Sequence, residues 1–179
     1  MTAAVTRTYY FSASHRLHSN AFSDADNART FGKCNNPFGH GHNYELEITA
    51  RGPIDQHTGL VVNIDRLDRY VRNRVLRDFD AVNMNVDIPE FQDAIPTTEN
   101  VTRVIAARLS SGWENEFGRS GPKLARVHVQ ETARNGFELI VESGKPTTAG
   151  NFNFTVTATT PGGCATARSY MIRVLPMAR

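Results

Sequence analysis

Two runs of alternation constrain the fold more than any other feature of the chain. From Val5 to His15 the pattern places Val5, Tyr9, Phe11, Ala13 and His15 on one face of an extended strand. From Asn43 to Thr49 it repeats, so His40 and His42 project from the same face as Tyr44, Leu46 and Ile48. A period of two does not suit a helix, whose apolar residues recur every three or four positions. Each run carries histidine at the end of its apolar row. If the two strands pair antiparallel, the C-terminal end of the first meets the start of the second, and His15 lies beside His40 and His42. Three neutral imidazoles around an open fourth position form the ligand arrangement of a catalytic zinc site. Three separately hydrogen-bonded surface histidines would not explain the shared face and the matched strand ends.

The rest of the chain punctuates readily. Asn20 to Asn36 is polar and reads as a long irregular loop of the kind that carries function. Ile64, Leu67, Val71 and Val75 recur at helical spacing and predict a helix from about Asn63 to Arg77, supported by Asp65–Arg69 and Asp68–Arg72 pairs four apart. A second helix follows Pro96 with Val101, Val104, Ile105 and Leu109 as its buried stripe, Thr97 or Thr98 as its cap and Glu99 in its first turn. Leu124 to Thr132 and Gly136 to Val141 read as two further strands. Two strands, two helices and two strands predict an α+β fold, with a four-stranded antiparallel sheet and two helices on one face. Residues 1–142 would form this domain. Residues 143–179 would be a linker and a β-hairpin extension, with alternation from Phe152 to Ala158, a Pro161-Gly162-Gly163 turn, and alternation again from Tyr170 to Val174.

Composition excludes more than it selects. The 179-residue chain has a net charge of +2, too small to argue for a nucleic-acid partner. No run of about 18 apolar residues is present, so no membrane partner is expected. Two cysteines make no disulfide framework, and no secretory signal is visible at Met1–Val5, so a cytoplasmic setting is expected.

Four motifs occur in order: Phe11-Ser12-Ala13-Ser14-His15-Arg16-Leu17, the Gly32–Tyr44 stretch with Lys33-Cys34-Asn35-Asn36-Pro37 and His40-Gly41-His42, Pro96-Thr97-Thr98-Glu99-Asn100, and Val129-Gln130-Glu131-Thr132. Over about residues 5 to 142 the chain resembles the 6-pyruvoyltetrahydropterin synthase family, which includes the 6-carboxytetrahydropterin synthases. The resemblance implies a tunnelling-type ββααββ fold, Zn2+ on His15, His40 and His42, and a homo-oligomer, a hexamer, whose sheets close into rings with pockets between subunits. It implies a zinc-dependent lyase on 7,8-dihydroneopterin triphosphate that yields a 6-pyruvoyl- or 6-carboxy-tetrahydropterin, in tetrahydropterin or queuosine biosynthesis. The five-residue gap between Cys34 and His40 is similar to that of the pyruvoyl branch.

Cys34 matches the family's proton-abstracting thiolate, which nearby positive charge favours, here the zinc and Lys33. Thr97, Thr98, Glu99 and Glu131 fall on substrate-binding positions. Glu131 ends the face formed by Ala125, Val127 and Val129, and as a planar acceptor it suits the adjacent N–H donors of an amino-pyrimidinone. His128 points to the opposite face, and His18 and His57 read as solvated loop residues. One departure stands out. The family's Asp-His pair after the first helix completes its proton relay, and here that pair reads Asp80-Ala81. A methyl group moves no proton, and a general acid or base contributes about 10²- to 10⁴-fold. A pterin-binding protein with reduced or altered turnover is therefore the competing expectation, and a scaffold assembled through the C-terminal hairpin is a third.

Overall fold

The computed structural model describes residues 2–141 and, for backbone alone, residues 150–159 and 165–174. The chain divides into two compact units, Met1–Val141 and Glu142–Arg179.

The first unit rests on a five-stranded sheet. β1 (Thr2–His15) and β2 (His40–Pro53) pair antiparallel along their whole length, from Thr2 opposite Pro53 to His15 opposite His40. β3 (Val82–Asn83) flanks β1, while β4 (Lys123–Thr132) and β5 (Asn135–Ile140) continue beyond β2, giving the order β3-β1-β2-β4-β5. Alternation decides which face is covered. Tyr9, Phe11, Ala13, Tyr44, Leu46, Ile48, Val127 and Val129 are buried, and against them pack Leu67, Val71 and Val75 of the first helical segment and Val101, Ile105 and Leu109 of the second. Each such Val, Leu, Ile or Phe side chain contributes roughly 1.5–3 kcal/mol by leaving water.

The two long helices begin at caps set by sequence. Asn63 accepts from the Arg66 N–H ahead of α2 (Ile64–Val71), and Thr97 accepts from the Asn100 N–H ahead of α5 (Thr98–Phe117). After α2 the chain stays helical through a π-helical stretch, Arg72–Leu76, and α3 (Arg77–Phe79). α4 (Met84–Asp87) is a single turn after β3.

Four local expectations need correction. The sheet has five strands because Val82 and Asn83 pair parallel with Ala13 and Ser14; two residues are too few to carry an alternation signal. The stretch Asn20–Asn36 is not irregular. It contains α1 (Asp24–Phe31), capped by Ser23 accepting from the Asp26 N–H, and a 3₁₀ turn, Gly32–Asn35. Asp68 does not pair with Arg72 along its helix. It turns to the sheet, where Arg7 donates to both its oxygens (3.1 and 2.6 Å) and the Tyr9 hydroxyl donates to Oδ1 at 2.8 Å. Ala125 does not belong to the buried face of β4. The register shifts opposite Thr49 and Ala50, so Leu124 takes the core position and Ala125 is the extra residue of a bulge.

In the second unit β6 (Gly150–Thr159) and β7 (Ala165–Val174) pair antiparallel, Gly150 opposite Val174 through Thr159 opposite Ala165. The linker at 142–149 and the Pro161-Gly162-Gly163 turn lie outside the described residues.

Candidate metal centre and active site

The antiparallel register puts His15 opposite His40 and Ala13 opposite His42, so the three imidazoles meet at the sheet's end on its covered face. One ring nitrogen from each of the three lies within 4.8 Å of the others. His15 Nε2 is 3.2 Å from His40 Nε2. Two ligands on a tetrahedral zinc, each with a bond of about 2.0–2.1 Å, stand about 3.3 Å apart, so this pair is already at ligand spacing.

His15 sets the chemistry of the group. Its side chain is wholly enclosed, and its Nδ1 lies 2.8 Å from the Pro96 carbonyl. A carbonyl only accepts, so Nδ1 carries the proton and Nε2 presents a lone pair. Metal-binding histidines are commonly oriented by such a bond. Burial first, opposed by the Pro96 bond, lowers the His15 pKa, and burial with the neighbouring His42 lowers that of His40. Both rings are thereby held in the neutral form that binds metals. His40 Nδ1 and His42 Nε2 are buried without a hydrogen-bond partner among the described residues. The donor set fits a divalent ion that accepts nitrogen ligands.

The turn before β2 delivers His40. Gly39 has φ +69°, and a Cβ there would stand 2.9 Å from the His15 carbonyl oxygen, so glycine is needed for the approach of two chain segments. Cys34 lies in the 3₁₀ turn, tied to the end of β1 by the Leu17 N–H donating to its carbonyl at 2.8 Å. Burial, then the Glu131 carboxylate, pushes the Cys34 thiol up. That opposes the expected thiolate, so positive charge is required if Cys34 is to act as a base.

Glu131 faces the histidines. The β4–β5 register shifts between Gln130 and Thr132, a bulge that sets Glu131 apart from the regular ladder. Its Oε1 lies 3.5 Å from His15 Nε2 and 3.9 Å from His42 Nε2. Tyr44 donates its hydroxyl to the same oxygen at 3.5 Å, and Asn135 Nδ2 donates to Oε2 at 2.7 Å. Burial, then Glu131, raises the Tyr44 pKa, so the phenol stays protonated and remains a donor. Asn135 also donates to Thr98 Oγ1 at 3.0 Å, linking the head of α5 to this corner.

The structure therefore gathers His15, His40, His42, Glu131 and Thr98, with Cys34 close enough to feel the Glu131 charge. Thr97 serves as a helix cap. Glu99 is exposed in the first turn of α5, and no hydrogen bond among the described residues joins it to the cluster. Asp80 is exposed and accepts the Ser12 backbone N–H at 2.9 Å, pinning the approach to β3 against β1. Alternation could not have found Tyr44's hydroxyl, Asn135 or the Pro96 carbonyl as partners of the site. His18 is not simply solvated: its Nδ1 is 2.9 Å from Asn35 Oδ1. His128 is on the other face, 3.4 Å from Glu47.

Two clefts flank the cluster. One, of about 490 Å³, is bounded by Ser12, Ser14, His42, Asn43 and Ala81. The other, of about 690 Å³, is bounded by Arg16, His18, Phe38 and Asn85 and reaches the cluster's turn at Gly39. Neither is walled by Cys34 or Glu131.

A family model described as 6-pyruvoyl tetrahydropterin synthase matches residues 4–140. The 6-pyruvoyl tetrahydrobiopterin synthase of Homo sapiens is 45% identical over 145 residues, 80% of this chain and 92% of that protein. The Drosophila melanogaster enzyme of the same name is 43% identical over 135 residues, 74% of this chain and 76% of that one. The structure of Caenorhabditis elegans 6-pyruvoyl tetrahydropterin synthase superposes with a TM-score of 0.72 at 36% identity, covering 79% of this chain and 97% of that chain. The Plasmodium vivax structure superposes at 0.54 with 18% identity over 78% and 97% of the two chains, a likeness of fold.

Proposed function

The chain belongs to the 6-pyruvoyl tetrahydropterin synthase family, and from that premise we propose that it is a zinc-dependent lyase acting on 7,8-dihydroneopterin triphosphate. The carrying observation is the trio of His15, His40 and His42, with His15 locked by Pro96 into the tautomer that leaves Nε2 free. The relatives' names and the spacing from Cys34 to His40 favour the 6-pyruvoyl over the 6-carboxy product. A divalent ion on the histidines would supply Lewis-acid polarisation of the substrate's side-chain hydroxyls, and its charge would favour a thiolate at Cys34.

The chain's own groups divide the remaining work. Cys34 takes the proton from the substrate side chain. Glu131, fixed through Oε2 by Asn135, accepts from the pterin's N–H donors, and Thr98 and Asn135 shape the same corner. Cys34 and Glu131 border neither of the two clefts described above, which is compatible with a second copy completing the site. β1 pairs with β3 through Ala13 and Ser14, and Ser12 is engaged by Asp80 and Ala81; among the described residues no strand pairs with the outer edge of β1 before Ser12, nor with that of β5. Open sheet edges can pair between copies, and we propose on that ground that copies associate through them, the hexamer resting on the family resemblance.

A second reading is favoured by Ala81. Asp80 has no imidazole beside it in sequence and holds a backbone N–H instead, so a pterin-binding member with reduced turnover is the alternative. Incubation of the purified protein with 7,8-dihydroneopterin triphosphate and Zn2+, with products identified by mass, tests both. Triphosphate loss with a 6-pyruvoyl product supports the lyase. Bound but unchanged substrate supports the alternative.

A further inference from the structure

Taking the substrate from the lyase reading above, we infer that the cleft bounded by Arg16, His18 and Asn85 is an anion subsite for the substrate's triphosphate, with Arg16 as the group that grips it. The cleft, of about 690 Å³, runs directly into the metal centre. Arg16 follows His15 in the chain, Gly39 precedes His40, and Ile95 precedes Pro96, whose carbonyl holds His15. A ligand whose side chain reaches the histidines thus finds in this cleft a continuous place for its charged tail.

Arg16 is held at that wall from both ends. Its backbone N–H donates to Asn85 Oδ1 at 2.7 Å, and Asn85 Nδ2 donates back to its carbonyl at 3.0 Å. One edge of the guanidinium is engaged by Asn35: Nε donates to the backbone carbonyl at 3.3 Å and Nη2 to Oδ1 at 3.4 Å. Nη1 has no hydrogen-bond partner among the described residues, and no carboxylate there pairs with the side chain. His18 is drawn to the same wall, its Nδ1 2.9 Å from Asn35 Oδ1 and 3.2 Å from Arg16 Nη2. Arg16 is the only arginine or lysine bordering either cleft. A guanidinium fixed along one edge offers the rest of its fork to a phosphate with little further loss of side-chain entropy.

The remaining walls suit a chain of phosphates. Ser19, Asn20 and Gln92 bring hydroxyl and amide donors without negative charge. Asp93 is the one acid on the wall; it is exposed, and among the described residues no ion pair joins it to Arg16. Water and salt screen such a carboxylate, so it opposes a bound anion only modestly. A brace for the turn that carries Cys34 would explain the bonds to Asn35, but not a cation with a free Nη1 on a polar cleft.

Inorganic tripolyphosphate is the probe, titrated by calorimetry into the full-length protein freed of metal, because the probe chelates Zn2+. Wild type should bind it at about 0.1 M salt, where loose surface attraction is largely screened. Arg16→Gln should weaken it roughly 10- to 100-fold, as expected for lost charge-assisted bonds, while affinity for neopterin, which lacks phosphates, stays unchanged. Arg16→Lys keeps the charge but cannot remake both bonds to Asn35, and should recover part of the loss. An equal loss of both ligands, or a Lys variant no better than Gln, would make Arg16 a brace and overturn the inference. So would a wild type that does not bind the probe. Should neither variant fold, Asp93→Asn carries the test: removing an exposed like charge should tighten tripolyphosphate about 1.5- to 5-fold, and unchanged affinity overturns the inference. Tripolyphosphate binding without turnover of 7,8-dihydroneopterin triphosphate would count against the lyase reading and leave the subsite standing.

Discussion

Replacing Ala81 with histidine tests the central departure of this chain from its family. Ala81 has φ +60°, a left-handed conformation in which alanine has no advantage over histidine, and histidine is enriched there among non-glycine residues. Its N–H donates to the Ser12 carbonyl at 2.6 Å, a backbone bond that the substitution leaves in place. Ala81 borders the cleft of about 490 Å³, so a ring has room. Asp80 accepts the Ser12 N–H through Oδ1 and has Oδ2 free of partners among the described residues to orient an imidazole. Ala81→His should therefore fold as wild type does. If the missing proton carrier limits turnover, kcat rises by about 10²- to 10⁴-fold, equal to about 2.7–5.5 kcal/mol of barrier. The assay is product formation from 7,8-dihydroneopterin triphosphate, with zinc content measured alongside and expected to be unchanged. A wild-type kcat already near ~10 s⁻¹ would refute the premise, because another group would then carry the proton. An inactive Ala81→His variant that folds and binds zinc would show that the chain has diverged at more than one position.

Four further outcomes are expected. His42→Ala should lose most of its zinc, read by metal analysis after dialysis, because three ligands leave no redundancy; full occupancy would remove His42 from the site. Glu131→Gln should weaken pterin binding by about 1.5–3 kcal/mol, read by fluorescence quenching in metal-free protein, because the amide loses one of two acceptors; unchanged affinity contradicts the pterin contact. Arg7 first, then Tyr9, depress the Asp68 pKa, so this carboxylate's contribution to stability is present above its ordinary pKa of about 3.9 and is lost as pH falls through the depressed value. The melting-temperature advantage of wild type over Asp68→Asn should persist from pH 7 to 5 and vanish in strong acid; a gap independent of pH would refute it. Light scattering at micromolar concentration should report a hexamer, and a monomer would refute the proposal that the open edges of β1 and β5 pair between copies.

The core of the site could be read from the sequence because strand alternation is a local rule with a long reach. Once Val5–His15 and Asn43–Thr49 are strands, only their direction of pairing is needed to bring His15 to His40. What stayed hidden depends on departures from regularity. The bulge at Glu131 and the one at Ala125 arise from registers that no single strand specifies. α1 is short and strongly polar, so its apolar stripe is faint, although Ser23 three residues before Asp26 is a helix-start signal in plain view. Asp68 looked like a helix-surface charge because its partners, Arg7 and Tyr9, lie 61 and 59 residues away in sequence. Pro96 acts through its backbone oxygen, a group that every residue possesses and that no motif can flag.

The bond from His15 to that oxygen spans 81 residues, that from His15 to His40 spans 25, and that from Tyr44 to Glu131 spans 87. No contiguous fragment of modest length contains the pocket. The three histidines themselves lie within one stretch of β1 and β2, whereas Pro96 and Glu131, which complete the pocket, come from far along the chain, so an ion bound as proposed above would meet the complete pocket only after the sheet has closed. Such an ion would stabilise the native population by RT ln(1 + [L]/Kd) and slow unfolding more than it speeds folding. Metal occupancy would then report whether the sheet has closed, and if the proposed zinc is bound, its depletion should shorten the lifetime of the native state while leaving its rate of formation alone.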